Sequence, residues 1–279
     1  MKDNRFIERS LMGAVSFLKD SVFADEYAGK KGFLQARDPR VKVAAILLLV
    51  LCVLFSREIA FIAAIYLICL LLAVCSSIRL PFFLGRTWLF IPVFALFIAI
   101  PSIFSILTPG ERLSVFKIGN LSLSVSRQGL AGAAIFFSRV LVSVSLCVLL
   151  SLTTRHYALL KVLRIFRVPQ VFVMTLGMCY RYIFLFIGII QDTYTAIKSR
   201  CGYVLSSVKG QKIVAWNIAT LWQRSYRMQN QIYDAMLSRG YSGEVHILDE
   251  LRAGGKDIVF LAGAAFIFLF ILWRTYFLN

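Results

Sequence analysis

Four early stretches of the chain are predominantly apolar: residues 41–56, 59–77, 88–107 and 129–152. A fifth runs from Ile258 to Trp273. Each is near the ~20 predominantly apolar residues that a bilayer-spanning helix requires, so each predicts a transmembrane helix. Only Arg57 and Glu58 separate the first two, which predicts a tight helical hairpin. The first span has a marked start in "DPRVK". There Asp38 can cap exposed amides, Pro39 occupies the first turn, where its missing N–H costs nothing, and Arg40 follows.

The polar stretches have periods of their own. "ERLSVFKIGNLSLSVSRQG", between the third and fourth spans, alternates apolar and polar residues around a "GN" turn signal, and predicts a short hairpin or an irregular loop. Residues 155–167, "RHYALLKVLRIFR", put apolar side chains on one face and basic ones on another, the pattern of a helix lying at a membrane surface. From Pro169 to Arg200 the pattern supports one long, partly embedded helix. Residues 211–239 form another of mixed polarity, which at 1.5 Å per residue extends ~43 Å.

The segment 171–190 has the hydropathy of a sixth span, but Tyr180, Arg181 and Tyr182 fall at its centre. An arginine at the middle of a bilayer costs roughly 2.5–3.5 kcal/mol on insertion scales. Charge placement decides against crossing. With the N-terminus cytoplasmic and 171–190 not crossing, 25 of the 31 Lys and Arg residues lie inside, five lie outside and Arg139 sits within the fourth span. That distribution follows the positive-inside rule. The expected fold is all-α: a polytopic helical membrane protein of five spans with its C-terminus outside. The expected division is a cytoplasmic segment 1–40, a four-helix membrane region 41–152, a helical cytoplasmic or interfacial region 153–256 and a last span 257–279. Arg181 reads as an interfacial anchor between tyrosines, and Arg139 as a residue that snorkels or pairs within the bundle.

Composition narrows the chemistry. At 59% hydrophobic, 16% charged and a mean hydropathy of +0.77, the chain does not suit a water-soluble globule. Its net charge of +17 is accounted for by cytoplasmic loops, so no nucleic-acid partner is expected. The six cysteines lie mostly in apolar runs, without a CxxC and away from His156 and His246. They read as small core residues and not as metal ligands. The first forty residues are charged, and no cleavable signal peptide is expected. No G-x-x-x-x-G-K-[ST] occurs; "GKKG" and "GGKD" have the wrong spacing, so the chain is not expected to hydrolyse ATP itself. The four early spans contain no Asp, Glu or His, which leaves no carboxylate for a proton relay or an ion site. A stand-alone secondary transporter would need such a group. A membrane-embedded enzyme would need a nucleophile and base or a ligand set, and neither is evident.

Two polar segments stand apart from this background. "YTAIKSRCGY" begins at Tyr194 and "YDAMLSRGYSGE" at Tyr233. In each, alanine precedes arginine by four residues: Ala196 and Arg200, Ala235 and Arg239. On a helix these share a face, where alanine permits close approach and the arginine fork can hold a carboxylate. Gly202 and Gly240 stand just beyond and can take the left-handed conformation that stops a helix. Singly, each element reads as an ordinary C-cap with a basic last turn. Their recurrence 39 residues apart argues for a shared function.

The pair resembles the two Ala-Arg-Gly signatures of the transmembrane (T) component of energy-coupling factor (ECF) transporters. "FLQARDPRVKVAAILLL" is likewise similar to the start of the first span in the cobalt-type CbiQ branch. The resemblance covers the chain from about Asp38 onward. It implies a non-catalytic helical scaffold in a bacterial or archaeal plasma membrane. Its cytoplasmic helices would join two ABC-type ATPase subunits, which hydrolyse ATP, to a separate substrate-binding S component. It assigns docking to Ala196, Ser199, Arg200 and Gly202 and to Ala235, Ser238, Arg239 and Gly240, with no cofactor or metal on this chain. Both signatures here carry Ser before Arg where Ala is usual, and the first has Cys201 where Gly is usual. Cobalt is the implied cargo, with nickel and then a vitamin as alternatives.

Overall fold

The computed structural model describes residues 13, 28–29, 32–56, 58–88, 91–103, 112–118, 121–201, 207–243 and 254–277. They form helices α1 (Pro39–Phe55), α2 (Ile59–Cys75), α3 (Leu80–Trp88) and α4 (Ile91–Ile103), then strands β1 (Arg112–Ile118) and β2 (Leu121–Ser126). Helices α5 (Arg127–Thr153), α6 (His156–Ile165), α7 (Gln170–Cys201), α8 (Ser207–Ser238) and α9 (Gly255–Phe277) follow. The chain divides into two compact units, one of residues 24–158 and 251–279, the other of residues 1–23 and 159–250.

The first unit is a helical bundle around α5, which packs against α1, α2, α3 and α4, while α9 closes it against α1. Its interior mixes large and small side chains: Ile46, Leu49 and Val53 of α1, Ile62, Ile65 and Cys69 of α2, Leu146 and Leu149 of α5, and Ala264 of α9. In lipid there is no hydrophobic drive between helices, so close packing at small residues such as Ala45, Cys52, Cys69 and Ala73 holds them together. The outward faces carry Leu67, Leu71, Phe94, Phe97, Phe266 and Leu269, all exposed. That surface suits acyl chains and not water.

Helix ends follow from local chemistry. Asp38 is extended (φ −60°, ψ 128°) and its Oδ1 accepts the Arg40 N–H at 2.9 Å, with Pro39 in the first turn. Past α2, Ser77 adopts φ 55°, Ser77 N–H donates to Val74 O and Ile78 N–H to Ala73 O. This is the paired 5→2 and 6→1 pattern of a left-handed C-terminal stop. The β1–β2 hairpin is antiparallel, pairing Ile118 with Leu121 and Ser114 with Val125, and has an irregularity between Arg112 and Ser114. The "GN" turn lies outside the described residues.

Among the described residues, three helices are long and apolar enough to cross a bilayer: Arg127–Thr153, Gln170–Thr193 and Gly255–Arg274. The third predicted span differs from its sequence reading. The chain is helical from Leu80, and α3 and α4 are inclined by 40° on either side of residues 89–90, the form of a broken span or of a re-entrant loop. Helices α1 and α2 have 17 residues each, ~26 Å of rise, at the lower limit for spanning. Length and composition qualify Gln170–Thr193 as well, so the expectation that it does not cross rests on the distribution of Lys and Arg.

Candidate coupling site at two helix ends

The second unit is built on α6, α7 and α8. Helix α6 ends as α2 does, with Arg167 at φ 58°, Arg167 N–H donating to Arg164 O and Val168 N–H to Leu163 O. Two residues later Gln170 opens the 32 residues of α7, and α8 is equally long. Tyr241, just past the end of α8, donates its hydroxyl to Met174 Sδ at 3.4 Å, in the first turns of α7. The far end of α8 therefore lies at the near end of α7.

The two arginine elements fall on the last turns of these helices. Ala196, Ser199 and Arg200 are exposed near the end of α7, and Ala235, Ser238, Arg239 and Gly240 are exposed at the end of α8. The structure does not bring them together. From Met174 to Arg200 is ~39 Å of helix, so the two elements stand at opposite ends of the α7–α8 pair. Among the described residues neither arginine forms a salt bridge.

The second element ends in a complete left-handed stop. Gly240 has φ 82°, its N–H donates to Leu237 O at 3.0 Å, and Tyr241 N–H donates to Met236 O at 3.0 Å. Gly202 lies outside the described residues, as does everything from there to residue 206. The serines explain themselves locally. Ser199 Oγ donates to Thr195 O and Ser238 Oγ to Asp234 O, both at 2.9 Å. A hydroxyl folded back on its own helix leaves a compact surface, so serine here fills the role of a small residue beside the arginine.

Three polar pairings in the bundle were not legible from sequence. Lys42, 2% exposed, donates from Nζ to Thr153 O at 3.1 Å, the last carbonyl of α5. Arg37 pairs with Asp257 at 3.5 Å, and Asp257 Oδ2 also accepts the Gly254 N–H at 2.9 Å, capping α9. Arg139 donates to Ser56 O at 2.9 Å, at the C-terminal end of α1. For Lys42 and Arg139 a basic residue inside an apolar run was the signal, but the acceptors of all three lie 83 to 220 positions away. Among the described residues, no three His, Cys, Asp or Glu side chains come together as a metal site would require.

Fold and site thus define a multi-pass helical membrane protein in which two long helices end on exposed arginines. The family profile CbiQ, "Cobalt transport protein", matches residues 30–247, and the chain belongs to that family, the transmembrane component of ECF transporters. An uncharacterized protein of Methanocaldococcus jannaschii, MJ1571, is 32% identical over 259 residues, 93% of this chain and 88% of the relative. A putative fused cobalt transport protein, CbiMQ, of Methanocorpusculum labreanum is 31% identical over 59% of this chain and 27% of its own length. The energy-coupling factor transporter transmembrane protein EcfT of Streptococcus thermophilus is 25% identical over 80% of this chain and 86% of its own.

Proposed function

We propose that this chain is the coupling subunit of an ATP-driven importer. It joins two ABC-type ATPase subunits, which bind and hydrolyse the ATP, to a metal-type S component that captures the cargo. The observation that carries this reading is the repeated helix end: an exposed small-residue face, a back-bonded serine and an arginine, built twice and held ~39 Å apart along one helix pair. Two such ends suit one groove on each of two ATPases, each arginine fork gripping a carboxylate there. Motion of the ATPases is then transmitted along α7 and α8. A different face of α8 exposes Ile218, Trp222, Tyr226, Tyr233 and Leu237 at intervals of four and seven residues. That apolar stripe is the docking face for the S component. Cobalt is the favoured cargo, supported by the family description and by the name of the fused relative; nickel shares the same coordination chemistry. In this reading the N-terminus and residues 153–256 are cytoplasmic.

The test is the double charge reversal Arg200→Glu with Arg239→Glu in the co-expressed complex. Membrane insertion of the chain is expected to be unchanged, while ATPase co-purification and metal uptake are lost. If both survive, the coupling assignment fails.

A further inference from the structure

The membrane unit holds two adjoining recesses that coupling does not use. The first is an open cavity of about 740 Å³, lined in part by Arg37, Lys42, Thr154 and Arg155. It lies where α1 and α9 begin and α2 and α5 finish, the end joined by the Phe33 N–H to Cys75 O, Lys42 to Thr153 O and Arg37 to Asp257 contacts. Among the described residues its lining carries three cationic side chains, Arg37, Lys42 and Arg155, and no carboxylate. An ammonium has three donors, yet Lys42 has a single described acceptor, Thr153 O. Arg37 reaches Asp257 through Nη1 while its buried Nε has no partner, and the buried Thr154 Oγ1 has none either. Asp257 and Asp38 already accept from Arg37, Gly254 N–H and Arg40 N–H. Buried charge with too few partners is costly, and an anion is the complement that a surplus of donors calls for.

The second recess, about 310 Å³, shares Phe33 and Arg37 with the first and continues between α1, α2 and α9 past Leu49, Leu72 and Ile267. From Lys256 to Ile267 it follows ~17 Å of helix. A cationic cavity adjoining an apolar groove, with Phe33 and Arg37 lining both, matches one kind of molecule. We infer that the unit binds an anionic phospholipid, its phosphate at Lys42, Arg37 and Thr154 and an acyl chain along the groove beside α9. A free phosphate would satisfy the donors and leave the groove without an occupant.

The test reads lipid retention on the full chain alone and is therefore independent of ATPase coupling. Native mass spectrometry after exchange into mixed phosphatidylglycerol and phosphatidylcholine micelles is expected to show selective retention of phosphatidylglycerol, undisturbed by inorganic phosphate. Lys42→Met removes the central donor. Gly263→Leu fills the groove, since a Cβ there meets nothing within 4 Å. Each is expected to weaken retention about tenfold, the size of a charge-assisted hydrogen bond or a lost chain contact. Should Lys42→Met fail to fold, Thr154→Val, which removes only the unpartnered hydroxyl, is expected to weaken retention severalfold. Equal retention of both lipids, indifference to all these variants, or displacement by inorganic phosphate would each overturn the inference.

Discussion

Ser238, Arg239 and Gly240 occupy three consecutive positions with three different physical jobs, and substitution separates them. Ser238 has its hydroxyl turned back to Asp234 O, so Ser238→Ala is expected to leave ATPase co-purification unchanged, whereas Ser238→Leu raises a side chain against the docking face and lowers it. Gly240 holds φ 82° with no atom near its would-be Cβ, so the conformation and not the space demands glycine. Gly240→Val therefore costs about 1–2 kcal/mol and loosens the last turn of α8. Hydrogen exchange at Leu237 to Tyr241 is the measurement, with faster exchange expected and weaker ATPase binding as the consequence. Arg167 and Ser77 hold similar angles without being glycine; Ser77→Gly is expected to raise the melting temperature in detergent slightly.

At the scale of elements, two ion pairs among the described residues tie α9 into the bundle, and they are unequal. Glu58 and Arg274 meet at 3.1 Å with side chains 50% and 41% exposed, so water screens them and Glu58→Gln is expected to cost less than about 1 kcal/mol. Asp257 is buried, pairs with Arg37 and accepts the Gly254 N–H. Asp257→Asn leaves a buried guanidinium short of its counter-charge and is expected to cost about 3 kcal/mol. Thermal unfolding of the two variants in detergent checks the order. The same elements show what sequence could disclose. Helices α1, α2, α5 and α9 were legible because an apolar run and a cap such as Asp38–Pro39 are local signals. The hairpin was legible from its alternation. The start of α3 was not: "LPFFLGRTW" carries Gly85, Arg86 and Thr87, which dilute its hydropathy, and the bend beyond Trp88 leaves no mark in composition. The arginine elements were legible as helix ends, since Ala, Arg and Gly act within one turn. Their separation was not, because it depends on the contact between Tyr241 and Met174, 67 residues apart. The acceptors of Lys42, Arg37 and Arg139 were hidden for the same reason.

For the whole molecule the course of α7 decides where the two arginine elements can act. If Gln170–Thr193 crossed, Arg200 would emerge on the far side from Arg155 while Arg239, held beside the start of α7 by the Tyr241–Met174 contact, stayed behind, and the two ends could not both meet cytoplasmic ATPases. If it does not cross, both arginines stay on the side of Arg155 and α9 carries the C-terminus out. Composition alone qualifies the helix to cross, but crossing exposes Lys198, Arg200, Lys209 and Lys212 outside, against the bias that orients membrane proteins. Arg181 would also sit at mid-bilayer. Fusions at Gly202 and Asn279 read the topology directly. A reporter that fluoresces only in the cytoplasm is expected to be bright at Gly202 and dark at Asn279, and a phosphatase active only outside is expected to show the reverse. A C-terminal tag accessible only from the cytoplasm would overturn the five-span topology, and with it the placement of both arginines beside the ATPases.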